Sequence, residues 1–83
     1  MQILKVEGNL QCTSRIEGLK HVALRVLQTT TGSRLVATDP VGAEPGNWVF
    51  VTSGSAARYT AGDFDILTDL AVCGIIDHWP EKE

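Results

Sequence analysis

The 83-residue sequence predicts an all-β domain, a small five-stranded β-barrel of OB-like form with one or two short helical turns. Five short apolar segments with strand-like composition are separated by turn-rich joints, which is typical of small barrels. Helical periodicity is almost absent, and the candidate helical turns are SAAR (55–58) and the region of DFDILTD (63–69). Because no repeat or linker divides the chain, we expect residues 1–83 to form one domain.

The first predicted strand covers residues 4–12, where apolar and polar side chains alternate. Gly8 interrupts the alternation and indicates a β-bulge or a close approach of backbone. One face of this strand is expected to carry Leu4, Val6, Leu10 and Cys12.

The second and third strands are predicted on either side of a short turn. On the second strand, the alternation places Val22, Leu24 and Val26 inward and Arg25 outward. The turns contain Gly, Pro, Ser and Asp, which favour tight changes of chain direction. The segments are a polar loop at 13–20, a strand at 21–30, a turn at 29–33, a strand at 34–39 and a shaped turn at 39–46.

The last two predicted strands, at 47–53 and 70–79, are apolar on both faces. In the fourth strand Trp48 and Phe50 point one way, and Val49 and Val51 point the other way. A barrel this small has a single interior, so the outer apolar face needs a second cover, and no helix of sufficient length is predicted to supply it. We therefore expect copies of the chain to cover one another as a homo-oligomer. The fifth strand has two apolar sets, Leu70, Val72 and Ile76 against Ala71, Cys73, Ile75 and Trp79.

Composition excludes several classes of function. The net charge is −3 and the seven basic residues are dispersed, which argues against nucleic acid as a partner. No segment is long and apolar enough to cross a membrane, and the start of the chain lacks a signal-peptide pattern, so we expect a cytoplasmic protein. The two histidines and two cysteines are scattered without metal-ligand spacing, so no metal and no cofactor is expected. Cys12 and Cys73 are interpreted as buried thiols of a reducing cytosol, and a disulfide between them stays open.

The turn TSGSAAR (52–58) does not match a catalytic template. A nucleophile elbow needs GxSxG, and a phosphate loop needs GxxxxGK[ST], so the sequence does not predict an enzyme. A hydrolase built on Ser55 and His78 would need a geometry that composition does not indicate. The structural interpretation is that Ser53 and Ser55 cap a short helical turn, while Gly54 permits an unusual backbone angle. Ala56 and Ala57 are small enough to let another chain approach.

The order of these motifs resembles the EutN/CcmL family, the pentameric vertex proteins of bacterial microcompartment shells. The segments VATDPVGAEPGNWVFVTSGSAAR and DLAVCGIIDHW carry the likeness, which covers essentially the whole chain. RIEGLKHVALRV and LTDLAVCGIIDHW look most like the alpha-carboxysome member, the B paralogue. The matching positions are Asp39, Gly42, Gly46, Trp48, Val49, Gly54, Ser55, Ala56, Ala57, Arg58, Gly74, Ile75, Ile76 and Asp77.

The resemblance implies a structural protein without enzymatic activity. Its members are OB-like barrels that form five-membered rings at the fivefold corners of a shell whose facets are hexameric proteins. In a carboxysome, closure of the shell keeps carbon dioxide near Rubisco. We predict that Ser53, Gly54 and Ser55 line the central pore and that Arg58 pairs with an acid such as Asp39. The predicted subunit interface comprises Trp48, Phe50, Ala56, Ala57, Arg58, Asp39 and Ile75.

One alternative belongs to a different class of protein. A free-standing OB-type module would bind single-stranded nucleic acid or an oligosaccharide, with Trp48 and Trp79 as stacking platforms. The acidic balance and the lack of a basic groove argue against nucleic acid. A native mass distinguishes the two hypotheses, because the binding module would be a monomer.

Overall fold

Five strands form a closed barrel in the order β1-β2-β3-β5-β4. The computed structural model describes residues 1–12 and 14–77. The prediction of an all-β, five-stranded barrel is confirmed. The elements are β1 (Gln2–Asn9), a 3₁₀ turn (Glu17–Leu19), β2 (Leu24–Gln28), β3 (Arg34–Thr38), β4 (Trp48–Ser53), α1 (Ala56–Thr60) and β5 (Leu70–Ile76).

One parallel pair closes an otherwise antiparallel barrel. β1 pairs with β2 and β4, β2 pairs with β3, and β4 pairs with β5, all antiparallel. β3 and β5 are parallel and pair at Thr38 and Ala71. Parallel neighbours need a long connection, and here it contains β4 and α1. The crossing of these elements brings α1 against β4 and β5.

Small aliphatic side chains fill the barrel. Val49 and Val51 are fully buried, whereas Trp48 and Phe50 are half-buried on the outer face, as the alternation in β4 predicts. The turn between β3 and β4 inserts Ala43 among these side chains, so this turn closes one end of the barrel. The core consists of Leu4, Val6, Leu27, Ala37, Ala43, Val49, Val51 and Val72.

Two β-bulges change which side chains face inward. In β1 the register shifts between Val6 and Gly8, which confirms the bulge that Gly8 indicates. In β5 the extra residue is Cys73, since Val51 pairs with Val72 and Phe50 pairs with Gly74.

The bulge at Cys73 makes the predicted alternation of β5 wrong beyond that residue. Ile75 pairs with Val49 and therefore shares a face with Val72 instead of with Ala71. Ala71 is fully buried, and α1 packs against its strand. Part of the apolar surface that we expected another copy to cover is thus covered by α1 within the chain.

The burial pattern of β1 and β2 also differs from the prediction. β1 ends at Asn9, so Leu10 is only half-buried and Cys12 is exposed. The predicted inward set of β2 is wrong. Leu27 is fully buried, while Val26 lies half-buried opposite Val36, which is 47% exposed. Val22 precedes the strand and is half-buried, and Leu24 is buried on the outer side of the barrel instead of inside its core.

Arg25 was expected to point outward, and it does not. It pairs across β2 and β3 with the buried Ala37, and its side chain is only 17% exposed. The reason is a buried acid, Asp39, whose carboxylate Arg25 contacts.

Helical structure is confirmed at Ala56–Thr60, but residues 63–69 form turns instead of a helix. Asp63 accepts a hydrogen bond from the N–H of Asp65, and this bond, with Lys20 as the second contributor, lowers the pKa of Asp63. The short 3₁₀ turn lies within the segment predicted as a polar loop. The predicted continuation of the fifth strand through His78 and Trp79 lies outside the described residues.

Candidate functional site

The turn at 53–58 projects small exposed side chains from the end of β4. Gly54 has a φ of +72°, which favours glycine, and its N–H donates to the carbonyl of Asp69 at 2.9 Å. Ser55 occupies the N-cap of α1 without a capping hydrogen bond from its side chain, so the predicted capping by the Ser55 hydroxyl is wrong. Ser53, Ser55 and Ala56 are exposed, whereas Ala57 is fully buried within the chain.

Arg58 and Tyr59 of α1 form a cluster with Phe64, which follows the helix. The guanidinium of Arg58 lies 5.2 Å from the centre of the Phe64 ring and donates to the Phe64 carbonyl at 3.3 Å. The rings of Tyr59 and Phe64 contact each other at a tilt of 38° with their centres 4.9 Å apart, and the two residues are 70% and 45% exposed. Arg58 therefore holds the turn that follows α1.

Asp39 anchors the turn between β3 and β4, and the predicted pairing of Arg58 with Asp39 is wrong. Its Oδ2 atom accepts from the Arg25 guanidinium at 2.9 Å and from the Ala43 N–H at 2.8 Å. Its Oδ1 atom accepts from the N–H groups of Val41 and Gly42 at 3.0 and 2.9 Å. The carboxylate is fully buried, so Arg25 and the turn backbone already satisfy it.

The predicted interface residues separate into two groups at opposite ends of β4. Trp48 begins the strand and pairs with Ile76, next to the exposed Ile75, and the Lys5 ammonium lies 5.8 Å from its ring. Phe50 packs over Gly74 on the same outer face as Trp48. The turn at 53–58 follows the other end of the strand.

A groove on the outer face of β2 and β3 was missed by the sequence analysis. Its volume is about 630 Å³, and the exposed apolar residues Ile16, Val36 and Leu67 line it. Leu67 packs against Gly18 and donates its N–H to the Gly18 carbonyl, which joins two segments that are distant in the sequence. The prediction that Val26 faces inward hid this face, because Val26 lies opposite Val36 in the barrel.

No metal centre is assembled in the part of the chain that the structure describes. Within residues 1–12 and 14–77, no cluster of three His, Cys, Asp or Glu side chains is placed to hold a metal ion. Over the same residues, no helix has the length and apolar character needed to cross a bilayer. Both cysteines are free thiols. Cys12 is exposed, which corrects its expected burial, and Cys73 is half-buried. His78, the partner imagined for Ser55, lies outside the described residues.

Comparisons with known proteins agree with the architecture. The family model described as ethanolamine utilisation protein EutN/carboxysome matches residues 1–77. The carboxysome shell vertex protein CsoS4B of Halothiobacillus neapolitanus is 54% identical over 95% of this chain and 98% of its own length. The carboxysome shell vertex protein CsoS4B of Hydrogenovibrio crunogenus is 52% identical over 100% of this chain and 99% of its own length. The CsoS4A protein of Halothiobacillus neapolitanus is 42% identical over 95% and 96%, which is consistent with the predicted likeness to the B paralogue.

Solved structures give the same result. The structure of CsoS4B from Halothiobacillus neapolitanus superimposes with a TM-score of 0.89 at 52% identity, over 94% of this chain and 100% of that one. A pentameric shell protein from the RMM microcompartment superimposes with a TM-score of 0.83 at 33% identity. The match covers 93% of this chain and 91% of that one. The predicted family is therefore confirmed, and the chain belongs to the EutN/CcmL family.

Proposed function

We propose that this protein is a structural component of a carboxysome shell, where five copies form a ring that caps each fivefold vertex. The observation that carries the proposal is the superposition on CsoS4B across nearly the whole of both chains. A relative of lower identity is described as a pentameric shell protein, which supports the same assembly. In this role the protein binds copies of itself and the hexameric proteins of the shell facets, and it catalyses no reaction.

The proposed role is geometric. A flat sheet of hexameric proteins has no curvature, so a closed polyhedron needs fivefold points at its corners. A five-membered ring supplies such a point, and the closed shell then limits the escape of carbon dioxide. Shell closure in the cytoplasm is therefore the product of the protein's shape and edges.

A cyclic ring needs two different contact surfaces on each subunit, because its interfaces are heterologous. The chain exposes apolar side chains on separate regions of its surface. One region is the groove that contains Ile16, Val36 and Leu67, and another is the end of the barrel at Ile75. A chain of 83 residues buries only about 60% of its unfolded surface, so covering these regions in a ring stabilises the fold.

The exposed turn is proposed to border the central opening of the ring. Ser53, Gly54 and Ser55 are small, and the hydrogen bond from Gly54 to Asp69 holds them at the end of β4. We assign the interface to Trp48, Phe50, Ala56, Arg58 and Ile75. Asp39 and Ala57 are buried within their own chain, so they support this surface from beneath.

Native mass spectrometry tests the ring. The chain has a mass of 9.0 kDa, so five copies have a mass of about 45 kDa. Expression of the gene in a strain that lacks it, followed by imaging of shell shape, tests the vertex role. A monomer at micromolar concentration, or closed and regular shells without the protein, would contradict the proposal.

Ser55→Trp is expected to reduce the native mass from that of the ring to that of the single chain. Ser55 is exposed and makes no side-chain capping bond, so the barrel should fold normally, while five indole rings near the axis would collide. Thr30→Trp is the matched control, because Thr30 is also an exposed turn residue. If Ser55→Trp keeps the five-chain mass, the turn does not line a narrow opening, although the ring itself would stand.

A further inference from the structure

The outer groove is a built recess that the barrel does not fill. Segment 14–19 forms one wall, residues 67–69 form another, and β3 forms the floor. Ile16 is 62% exposed, Val36 47% and Leu67 45%, although each is a large aliphatic side chain. Recesses of about 300–1,000 Å³ with apolar walls commonly hold a ligand or an aromatic anchor, and this groove measures about 630 Å³.

The groove also has a cationic side. Arg15 and Arg58 line it together with one acid, Asp69, and within residues 1–12 and 14–77 neither guanidinium contacts a carboxylate. Arg15 donates instead to the carbonyls of Val22 and Lys20. Arg15 further lines an adjoining polar hollow with Lys20 and His21, where Glu17 is the one acid. An occupant with an aromatic ring followed by acidic groups would complement both parts.

The chain itself carries such a segment. Residues 78–83 read His-Trp-Pro-Glu-Lys-Glu, which places Trp79 two positions before Glu81. They lie beyond the described residues. Tryptophan buries a large area and anchors interfaces, and a carboxylate near a guanidinium forms a strong hydrogen bond.

A subunit cannot place its own Trp79 in its own groove. Thr38 is level with Ala71 in the parallel pair, so the groove floor at Val36 is level with Asp69, just before β5. β5 then leads away from the groove for its whole length, about 20 Å. Trp79 follows Ile76 by three positions, which span at most about 10 Å.

We propose that Trp79 of one copy docks in the apolar groove of a neighbouring copy, with Glu81 directed toward Arg15. This inference rests on the proposed ring, because it needs a second copy of the chain. It assigns the segment 78–83 the role of a strap that links adjacent subunits.

Cys12 supplies the measurement, because it lines the groove and its thiol is exposed in the single chain. The rate at which iodoacetamide alkylates Cys12 is measured by peptide mass spectrometry, with the rate at Cys73 as an internal reference. Trp79→Ala is expected to speed alkylation of Cys12 by at least about tenfold, which corresponds to a docked population of about nine-tenths in the unsubstituted protein. Lys82→Ala is the matched control in the same segment, and it should leave the rate unchanged.

Mixed rings show which copy provides the tryptophan. A Trp79→Ala chain that retains Cys12 is co-assembled with an excess of a Cys12→Ser chain that retains Trp79. Slow alkylation of the Cys12 chain is expected, because its neighbours supply Trp79. Fast alkylation in the mixed ring would overturn docking between copies.

Native mass separates this inference from the proposed function. Five-chain rings in which Trp79→Ala leaves the Cys12 rate unchanged would overturn the strap alone and leave the vertex role standing. A monomeric protein would overturn both proposals. If Trp79→Ala itself yields monomers, the Cys12 alkylation rate is instead measured in the monomeric Ser55→Trp variant, which retains Trp79. A Cys12 rate in that monomer equal to the slow rate of the ring would contradict docking between copies.

Discussion

Asp39→Asn is expected to lower the free energy of unfolding by about 3–5 kcal/mol, because it leaves a buried cation without its counter-charge. The Asp39 carboxylate accepts from Arg25 and from three backbone N–H groups of its own turn. The amide keeps the size of the side chain but replaces one acceptor oxygen with a donor. In either orientation of the amide that donor would face other donors, which are Arg25 and Ala43 in one case and Val41 and Gly42 in the other. Ala43 of this turn closes one end of the barrel, so a turn that loses its anchor exposes the core.

Urea denaturation at a fixed protein concentration measures this effect, since the stability of an oligomer depends on concentration. Glu44→Gln is the matched control, because Glu44 is an exposed acid in the same turn. Arg25→Met in the Asp39→Asn background should recover part of the loss, because it removes the unpaired charge. A change below about 0.5 kcal/mol for Asp39→Asn, which is typical of surface substitutions, would contradict the anchoring role.

Gly74→Ala is expected to destabilise the barrel by about 1–3 kcal/mol, the usual cost of overpacking. A Cβ atom at Gly74 would lie 2.6 Å from Cε1 and 2.9 Å from Cζ of the Phe50 ring. Phe50 has few rotamers, so the ring must leave its place over β5. Since Phe50 is also a proposed interface residue, the native mass of the variant should show partial loss of the ring.

Gly8→Ala is the control for the glycine substitution. Nothing lies within 4 Å of a Cβ atom at Gly8, so the alanine should be neutral or stabilise by up to about 1 kcal/mol through the unfolded state. Phe50→Ala in the Gly74→Ala background should cost less than the sum of the two single changes, because the clash is then absent. Equal stabilities of Gly74→Ala and Gly8→Ala in urea would show that Phe50 does not constrain this site.

The sequence predicted the barrel well where the signal was local. Period-two alternation in β4 correctly placed Val49 and Val51 inside, and Gly8 correctly indicated a bulge. Asp39 was identified as a site residue, but its partner was wrong. Arg25 and Arg58 are equally plausible from sequence, and their positions relative to Asp39 depend on the closure of the barrel.

By itself, the sequence determined the all-β class, the five strands and their turns, and the family, because alternation, turn residues and motif order are properties of neighbouring residues. Only the tertiary structure decided the pairing of Asp39 with Arg25, the inward side of β5 after Cys73, and the groove beneath Ile16 and Leu67. The physical reason is distance along the chain. A one-residue bulge reverses the faces of every later position in its strand, and a groove forms where segments some 50 residues apart meet, roughly half the length of a common domain.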